Sequence, residues 1–388
     1  MIKLKEVASY VSEKVDTGLL KVQDYITTDN MLSNRGGIII SNSLPKADKV
    51  TKFERDDILV SNIRPYFKKI WHATFSGGCS NDVIVFRANG INSKFLYYVL
   101  SQNVFFDYMM AGANGTKMPR GNKQLIPDFE FLNFSSVQQE HISSTLFVFD
   151  DLIENNKKQI KLLEESAQRL YKEWFVDLRF PGHENVKIVD GVPEGWYIDR
   201  ADHYFKITIG KTPSRAEKQW FTNSGEGTPW ISISDMGESG AFAFYSKEDL
   251  TADAIIRHNM KVVPKGTILV SFKLTVGRVA ITSIDMCTNE AIAHFHIDND
   301  LDRAYTYCYL KSFEYDSLGN TSSISKAINS KIIKNMPFIM PSEDILGQFS
   351  MIVQPILDQI ELKQKIIFRL TEARDRLLPK LMSGEIEV

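Results

Sequence analysis

The chain has 388 residues, of which 43% are hydrophobic and 24% charged, and its formal net charge is −2. That length suits two or three hydrophobic cores better than one. The composition excludes a disordered chain, and no apolar run approaches the roughly 20 residues that a membrane helix needs. The slightly negative charge excludes a uniformly basic surface, so a nucleic-acid-binding face has to be a local patch.

The first third of the chain is predicted to be a mixed α/β domain. Short apolar runs at 36–40, 58–61 and 83–86 predict strands. Residues 93–110 predict a helix with Ser93 as its N-cap and Gly112 beyond its end. Aromatic side chains cluster along this helix, and core packing is favoured over base stacking for them.

A long helix follows, and its apolar residues recur three and four positions apart over more than four heptads. That period favours a coiled-coil seam over an ordinary surface helix. The pattern skips one step, at Asn156. The predicted seam consists of Ile142, Leu146, Phe149, Ile153, Asn156, Ile160, Leu163, Ala167, Leu170 and Trp174.

A polar, turn-rich stretch at 179–185 separates this helix from a second mixed region. Runs at 230–234 and 267–271 predict strands there. Three cysteines cannot all pair, which indicates a reducing cytoplasm. Cys79 and Cys287 occupy matched positions and are interpreted as small buried residues rather than zinc ligands.

A second long helix ends the sequence, again with a heptad pattern. Its predicted seam consists of Phe349, Val353, Ile356, Ile360, Lys363, Ile367, Leu370, Arg374, Leu377 and Leu381. Lys363 occupies the position that Asn156 holds in the first helix. Two interpretations stay open for this pair: the polar residues set the register, or they simply reach solvent at the edge of the seam. Pro355 is expected to kink the helix or delay its start.

The two halves are copies of one plan. Residues 57–61 (DILVS) return as 266–271 (GTILVS), 79–82 (CSND) as 287–290 (CTNE), and 151–154 (DLIE) as 358–361 (DQIE), all at nearly one spacing. We therefore predict an α+β protein with two mixed α/β domains related by pseudo-twofold symmetry and separated by two long helices that form an antiparallel coiled coil. The predicted boundaries are 1–134, 135–179, 180–341 and 342–388.

No constellation of catalytic residues is predicted. The sequence has neither a G-x-x-x-x-G-K-[ST] phosphate loop nor a G-x-G-x-x-G dinucleotide motif. Residues 335–338 (NMPF) depart at their second position from the N-P-P-[FY] motif of amino-methyltransferases. His294 and His296 share one face of a predicted strand, but without a third ligand a structural role is favoured over a metal site.

Polar and basic residues recur in predicted loops at equivalent places in both halves. Arg and Lys can bind phosphates or guanine, Asn can pair with adenine, and Asp can accept from cytosine. The candidates in the first half are Asp29, Asn30, Arg35, Asn62, Arg64, Tyr66, Lys68, Lys69, Asn81, Lys117, Arg120 and Lys123. Those in the second half are Lys211, Thr212, Ser214, Arg215, Asp235, Lys273, Arg278, Asn289 and Lys326.

The chain resembles the specificity subunit of type I restriction-modification systems over essentially its whole length. The resemblance is carried by the repeated plan of variable domain and long helix, by Trp196 in a Gly-Trp pair, by 210–214 (GKTPS) and by 376–386 (RLLPKLMSGEI). The first domain has no such G-x-T-P-S turn, and 16–19 (DTGL) stands in its place. Individual base contacts do not transfer, because recognition domains of this family differ greatly in sequence.

The resemblance implies two target recognition domains, each binding one half of a split double-stranded DNA sequence, and no catalysis or cofactor in this chain. It also implies helices that act as a spacer and dock two methyltransferase subunits, with two restriction subunits joining them. S-adenosylmethionine, ATP and magnesium would belong to those partners, in a bacterial or archaeal cytoplasm near the nucleoid.

Two other classes of function stay open on the sequence alone. One is a self-sufficient adenine methyltransferase, against which the missing cofactor loop counts. The other is a duplicated protein–protein scaffold without sequence-specific DNA binding.

Overall fold

A computed structural model describes residues 1–115, 117–319 and 328–387. The chain forms two compact units, the first comprising Met1–Ile153 with Arg369–Val388 and the second comprising Glu154–Phe368. The division cuts both long helices, so each unit contains a segment of each helix.

The first unit combines short strands with helices. Its strands are β1 (Ile2–Lys3), β2 (Ala8–Tyr10), β3 (Lys14–Asp16), β4 (Tyr25–Ile26), β5 (Lys49–Phe53), β6 (Ile58–Ser61), β7 (Ile70–His72), β8 (Gly77–Cys79), β9 (Val83–Ala88) and β10 (Glu130–Phe131). Its helices are α1 (Leu4–Val7), α2 (Ser93–Ser101), α3 (Asn103–Ala111) and the first part of α4 (Ser136–Tyr171).

Two four-stranded sheets organise this unit. One has the antiparallel order β2-β9-β6-β7, and the other has the order β3-β5-β8-β4, in which β4 and β8 run parallel. Strand β6 is buried on both faces: Ile58 and Val60 join the core beneath the helices, whereas Leu59 joins a separate core. Burial on both faces explains why this segment is an unbroken apolar run rather than an alternating one.

The second unit has the same kinds of element. Its strands are β11 (Ile188–Val189), β12 (Val192–Pro193), β13 (Tyr197–Arg200), β14 (Lys206–Ile209), β15 (Phe221–Asn223), β16 (Thr228–Ile231), β17 (Phe242–Ala243), β18 (Glu248–Leu250), β19 (Ile268–Ser271), β20 (Val279–Thr282), β21 (Cys287–Thr288), β22 (Ile292–His296) and β23 (Pro337–Met340). Its helices are α5 (Ala201–Tyr204), α6 (Ile233–Glu238), α7 (Ala252–Arg257), α8 (Asp300–Ser312), α9 (Ser330–Lys334) and most of α10 (Glu343–Met382). A π-helical turn, Lys172–Val176, extends α4.

The topology of the second unit repeats that of the first, which confirms the predicted duplication. Its main sheet runs β14-β22-β19-β20-β17, in which the first four strands match β2-β9-β6-β7 in order and direction. The parallel pair β16 and β21 matches the parallel pair β4 and β8. The predicted α+β class with two repeated domains is therefore correct.

The long helices pair in opposite directions within each unit. In the first unit, Ile142 and Leu146 near the start of α4 share a core with Leu378 and Leu381 near the end of α10. In the second unit, Phe175 directly after α4 lies 4.9 Å, between ring centroids, from Phe349 near the start of α10. Both pairings are antiparallel, as the sequence predicted.

None of the twenty predicted seam residues is exposed, and Ala167, Trp174, Arg374 and Leu381 are buried. Ile142, Leu146, Ile153, Phe349, Val353 and Ile360 are buried, and Phe149, Asn156, Ile160, Leu163, Leu170, Ile356, Lys363, Ile367, Leu370 and Leu377 are half-buried. The role of Asn156 and Lys363 in setting the register stays a prediction. Leu357 and Leu378, which were not predicted, are buried as deeply as the predicted residues.

A buried polar group interrupts the apolar packing of the helices in the first unit. Arg374 is 7% exposed. Its Nη1 donates to Asp150 Oδ1 at 2.5 Å, and the Tyr98 hydroxyl donates to Asp150 Oδ2 at 2.6 Å. Burial opposes the charge of Arg374, but Asp150 and Asp375 outweigh it and raise the pKa of the guanidinium. Arg374, the cation at this predicted seam position, therefore forms an ion pair between the two helices with Asp150.

Several local predictions were wrong. Residues 36–40 form no strand. Among the described residues, their only strand-like pairing is an isolated bridge between Ile38 and Met31. The helix predicted at 93–110 breaks at Gln102, whose extended backbone separates α2 from α3, and Asn92 rather than Ser93 caps it. The strand predicted at 230–234 ends at Ile231. Helix α10 begins well before Pro355, so the predicted late start is wrong.

Helices long and apolar enough to span a membrane are absent from the described residues. Cys79, Cys287 and Cys308 are buried free thiols, and burial raises their pKa values, that of Cys79 to about 12.

Candidate nucleic-acid interface

Backbone contacts bring the candidate loops of the first unit together. The amide of Arg35 donates to Lys68 O at 2.9 Å, that of Asn62 to Asp82 O at 2.8 Å, and that of Arg64 to Pro119 O at 2.8 Å. We call residues 28–35, 62–69, 80–82 and 117–123 the first loop cluster. Segments far apart in sequence thus meet at one end of β6.

The first loop cluster has an unusual backbone. Asn34, Arg35, Arg64 and Lys68 all have positive φ, at 55°, 60°, 48° and 51°. Non-glycine residues in this region are strained and concentrate at functional sites. Asn103 on α3 holds two of these residues, because its Oδ1 accepts from Arg35 Nη2 at 2.7 Å and from Lys68 Nζ at 2.8 Å.

Most candidate side chains of this cluster can be reached from solvent. Asp29, Tyr66, Asn81, Lys117, Arg120 and Lys123 are exposed, and Arg35, Arg64, Lys68 and Lys69 are half-buried. Lys69 Nζ donates to Thr28 O at 2.5 Å, and burial lowers its pKa although Asp29 opposes the shift. Arg120 lies 3.2 Å from Asp82. The cluster therefore presents several cations and one local ion pair.

Two predicted contacts in the first half lie below the surface. Asn30 is 4% exposed, and its amide donates to Tyr25 O and Ile39 O, both at 3.0 Å. Its side chain shapes the loop and is not available to a base, which corrects the prediction. Asn62 is also buried, at 5% exposure, but its Oδ1 has no hydrogen-bond partner within the described residues.

The candidate loops of the second unit converge in the same way. The amide of Lys211 donates to Thr288 O at 2.9 Å, that of Asn289 donates to Ile231 O at 3.0 Å, and Trp230 Nε1 donates to Lys211 O at 3.1 Å. Gly210 allows this approach, since a Cβ there would lie 2.1 Å from Asn289 O. We call residues 210–215, 231–235, 271–278 and 288–290 the second loop cluster.

In the second loop cluster, Lys211, Ser214, Arg215 and Lys273 are exposed, while Thr212, Arg278 and Asn289 are half-buried. Asp235 is buried and belongs to the capping box of α6 with Ser232, so the predicted base contact is corrected to a structural role. Arg278 Nη1 donates to Ile233 O at 2.5 Å. Lys326 lies outside the described residues.

One carboxylate of this cluster, Glu290, was not predicted from the sequence. Glu290 accepts a hydrogen bond from the Thr212 hydroxyl. Although burial favours the neutral acid, the bond from Thr212 and the charges of Lys273 and Arg215 hold the pKa of Glu290 below its ordinary value. Glu290 therefore lies among the predicted DNA-binding residues. Its position in the repeat, matching Asp82, is the signal that could have identified it.

The two clusters occupy equivalent positions on equivalent strands. The amide of Ser61, the last residue of β6, donates to Lys69 O at 3.0 Å. The amide of Ser271, the last residue of β19, donates to Arg278 O at 2.9 Å. The same strand end therefore carries the loops in both units, as expected of surfaces duplicated together.

His294 is buried in the second unit, where its ring nitrogens contact the hydroxyl groups of two threonines. It is fully buried, with Thr208 Oγ1 2.9 Å from its Nδ1 and Thr288 Oγ1 2.7 Å from its Nε2. Burial lowers the pKa of His294 to about 3, so the ring is neutral. Within the described residues, no three side chains of His, Cys, Asp or Glu are grouped to hold a metal ion.

Comparisons with known proteins give one consistent result. The family model of the type I restriction modification DNA specificity domain matches residues 1–165 and 193–372. The MjaIX specificity subunit of Methanocaldococcus jannaschii is 28% identical over 77% of this chain and 70% of its own length. The HindI specificity subunit of Haemophilus influenzae is 26% identical over 99% of this chain and 98% of its own. The S subunit of the type I restriction-modification system from M. genitalium has a similar fold, with a TM-score of 0.60 at 17% identity over 98% of this chain and 95% of that one.

Proposed function

Because the chain belongs to the type I restriction modification DNA specificity domain family, we propose that it binds a DNA target in two halves, one at each loop cluster. It is a non-catalytic recognition subunit, since its relatives are named specificity subunits. The observation that carries the proposal is the duplication of the loops on equivalent strand ends. Two copies of one surface suit two short DNA sequences, and half-sites about one helical turn apart would face the same side of the duplex.

The chemistry of the clusters supports DNA as the ligand. Lys117, Lys123 and Lys273 are exposed cations suited to phosphates. Arg120 and Arg215 are exposed guanidinium groups, which can bind guanine with two parallel hydrogen bonds. The net charge of −2 leaves little general attraction for DNA, so these local groups, together with partner subunits, have to supply the affinity.

We further propose that the long helices dock two methyltransferase subunits. Both helices carry exposed large apolar side chains that the core does not use. In the first unit these include Val137 and Val148, and in the second unit Leu162, Met351, Ile352 and Leu362. Exposed apolar patches mark protein–protein contact sites. Residues 1–134 and 180–341 would be the recognition domains, and 135–179 and 342–388 the spacer.

The partners complete the proposed complex. S-adenosylmethionine would bind the methyltransferase subunits, and ATP and magnesium would serve restriction subunits that join them. The complex would work in the cytoplasm at the nucleoid, which fits the buried free thiols.

The test is to express the chain with the methyltransferase subunit of its own system in a host without adenine methylation, and to map methylated adenines. We expect one motif with two short defined parts and a fixed gap. Methylation that is the same without the chain, or binding of the complex to DNA without sequence preference, would overturn the proposal. The second result would indicate a scaffold instead.

A further inference from the structure

We propose that Arg215 is a specificity-determining residue of the second unit and that it binds the N7 and O6 edge of a guanine. This inference rests on the proposed DNA-recognition function and assigns a base to one of its side chains. It distinguishes Arg215 from the lysines of the same cluster, to which it gives a different role.

Two aromatic rings fix the plane of the Arg215 guanidinium. Its central carbon lies 4.1 Å from the centroid of the Phe221 ring and 4.6 Å from that of Trp230. The two rings meet edge to face, with centroids 5.6 Å apart and planes at 78°. Arg215 therefore packs in the corner between them. Stacking on aromatic faces holds a guanidinium in one orientation while its edges stay free for hydrogen bonds.

Glu248 fixes the rotation of the group within that plane. Arg215 Nη1 donates to Glu248 Oε2 at 2.6 Å. This bond leaves the edge formed by Nε and Nη2, where the described residues place no other acceptor, and the side chain is 49% exposed. Two parallel donors on one edge match the O6 and N7 acceptors of guanine in the major groove.

The ion pair argues against a phosphate contact. Glu248 offsets the charge of Arg215, which weakens its attraction for phosphate but leaves the direction of its remaining N–H groups unchanged. Lys273 in the same cluster is exposed and forms no ion pair within 4 Å in the described part of the chain, although its charge acts on Glu290 from farther away, so its ammonium group can contact phosphates. A fixed orientation favours base recognition, whereas unpaired charge favours phosphate binding.

Arg215 also lies with the other loops of the second cluster. The charges of Lys273 and Arg215 both act on the Glu290 carboxyl, which accepts from Thr212. Trp230, one of the two supporting rings, donates through Nε1 to Lys211 O at 3.1 Å. The guanidinium is thus supported by the same contacts that assemble the loops. Fixing a side chain before binding lowers the entropy lost on contact.

The experiment uses the complex with its methyltransferase subunit and oligonucleotides carrying the mapped motif. Each guanine is replaced in turn by 7-deazaguanine, which lacks the N7 acceptor. Arg215→Ala and Arg215→Lys are compared with the parent. The matched control is Arg257→Ala: Arg257 on α7 also lies over a tryptophan, 5.8 Å from the Trp220 centroid, and pairs with Asp253 at 3.0 Å. It lies outside the second loop cluster.

We expect one guanine at which 7-deazaguanine weakens the parent about 5- to 150-fold. Arg215→Ala should not respond to that replacement, and Arg215→Lys should respond less than the parent, because an ammonium group lacks the fixed pair of parallel donors. Arg257→Ala should respond as the parent does. Because Arg215→Lys keeps the charge, it decides the outcome if Arg215→Ala fails to fold. Equal weakening of all sequences by Arg215→Ala, with Arg215→Lys binding like the parent, would indicate a phosphate contact and overturn the inference. The inference is also overturned if both Arg215 variants are as sensitive as the parent to 7-deazaguanine at every guanine. If the parent complex shows no sequence preference, the proposed function itself fails.

Discussion

Replacing Arg374 with Met should destabilise the first unit by about 2–4 kcal/mol. The side chains of Arg374 and Asp150 are 8% and 24% exposed, and removing one partner of a buried ion pair costs about 3–5 kcal/mol. We place the loss toward the lower end because Asp150 is partly exposed and keeps the hydrogen bond from Tyr98. The bond from Arg374 to Asp375 adds little, since Asp375 is 41% exposed.

Hydrogen exchange measured by mass spectrometry can assign this loss to one unit. The free energy of opening should fall for amides of β6 in the first unit and stay unchanged for those of β19 in the second. Arg376→Met is the matched control, because Arg376 is 78% exposed and pairs with Glu372 at 2.7 Å; it should change stability by less than about 0.5 kcal/mol. Adding Asp150→Asn to Arg374→Met should restore part of the loss, since no charge then stays buried without a partner. The reasoning is refuted if Arg374→Met costs no more than the control, or if the double variant is additive.

Three further predictions concern pH, salt and spacing. Burial depresses the pKa of His294 from 6.5 to about 3, so below pH 6.5 the unfolded chain binds a proton that the folded chain does not, and stability falls on acidification. Between pH 6.5 and 5, the free energy of unfolding of the parent should fall by roughly 2 kcal/mol more than that of His294→Gln in denaturant titrations. Equal losses would contradict this prediction. Lys273→Ala should weaken binding to all DNA sequences alike and lower the slope of log K against log salt by about 1; an unchanged slope in gel shifts counts against a phosphate contact. One heptad inserted into both α4 and α10, near residues 157 and 366, lengthens each helix by about 10 Å. The gap between the two parts of the methylation motif should then grow by about three base pairs. An unchanged gap would rule out the helices as a spacer.

Periodic features of the sequence predicted the architecture well. The heptad pattern located both long helices, because a seam between helices leaves a repeat that local sequence records. The repeated CSND and CTNE segments predicted the duplication. Errors occurred where one residue decides the backbone. Gln102 ends α2 although its neighbours favour a continuing helix, and residues 36–40 are apolar but make few ladder bonds. Tertiary contacts, rather than local propensity, determine such positions.

The candidate binding residues could be predicted as loops but not as side-chain environments. Sequence position could not indicate that Asn30 and Asp235 turn inward to bond their own loops, since the same residue types serve turns and DNA equally well. Asn103, which holds Arg35 and Lys68, lies on a helix far from both in sequence. Phe221, Trp230 and Glu248 act on Arg215 only through the folded structure.

The first unit is not continuous along the chain, and this would affect both its synthesis and its exchange by recombination. Its core includes Leu378, Leu381 and Met382 beside Leu4 and Ile142. During translation those N-terminal residues leave the ribosome hundreds of codons before their partners, so the unit completes its core only after the second unit has emerged. Recombination that exchanges residues 1–134 between relatives would succeed only where the incoming domain fits the resident C-terminal helix. New DNA specificities would then arise under a packing constraint from a segment that is distant in the sequence.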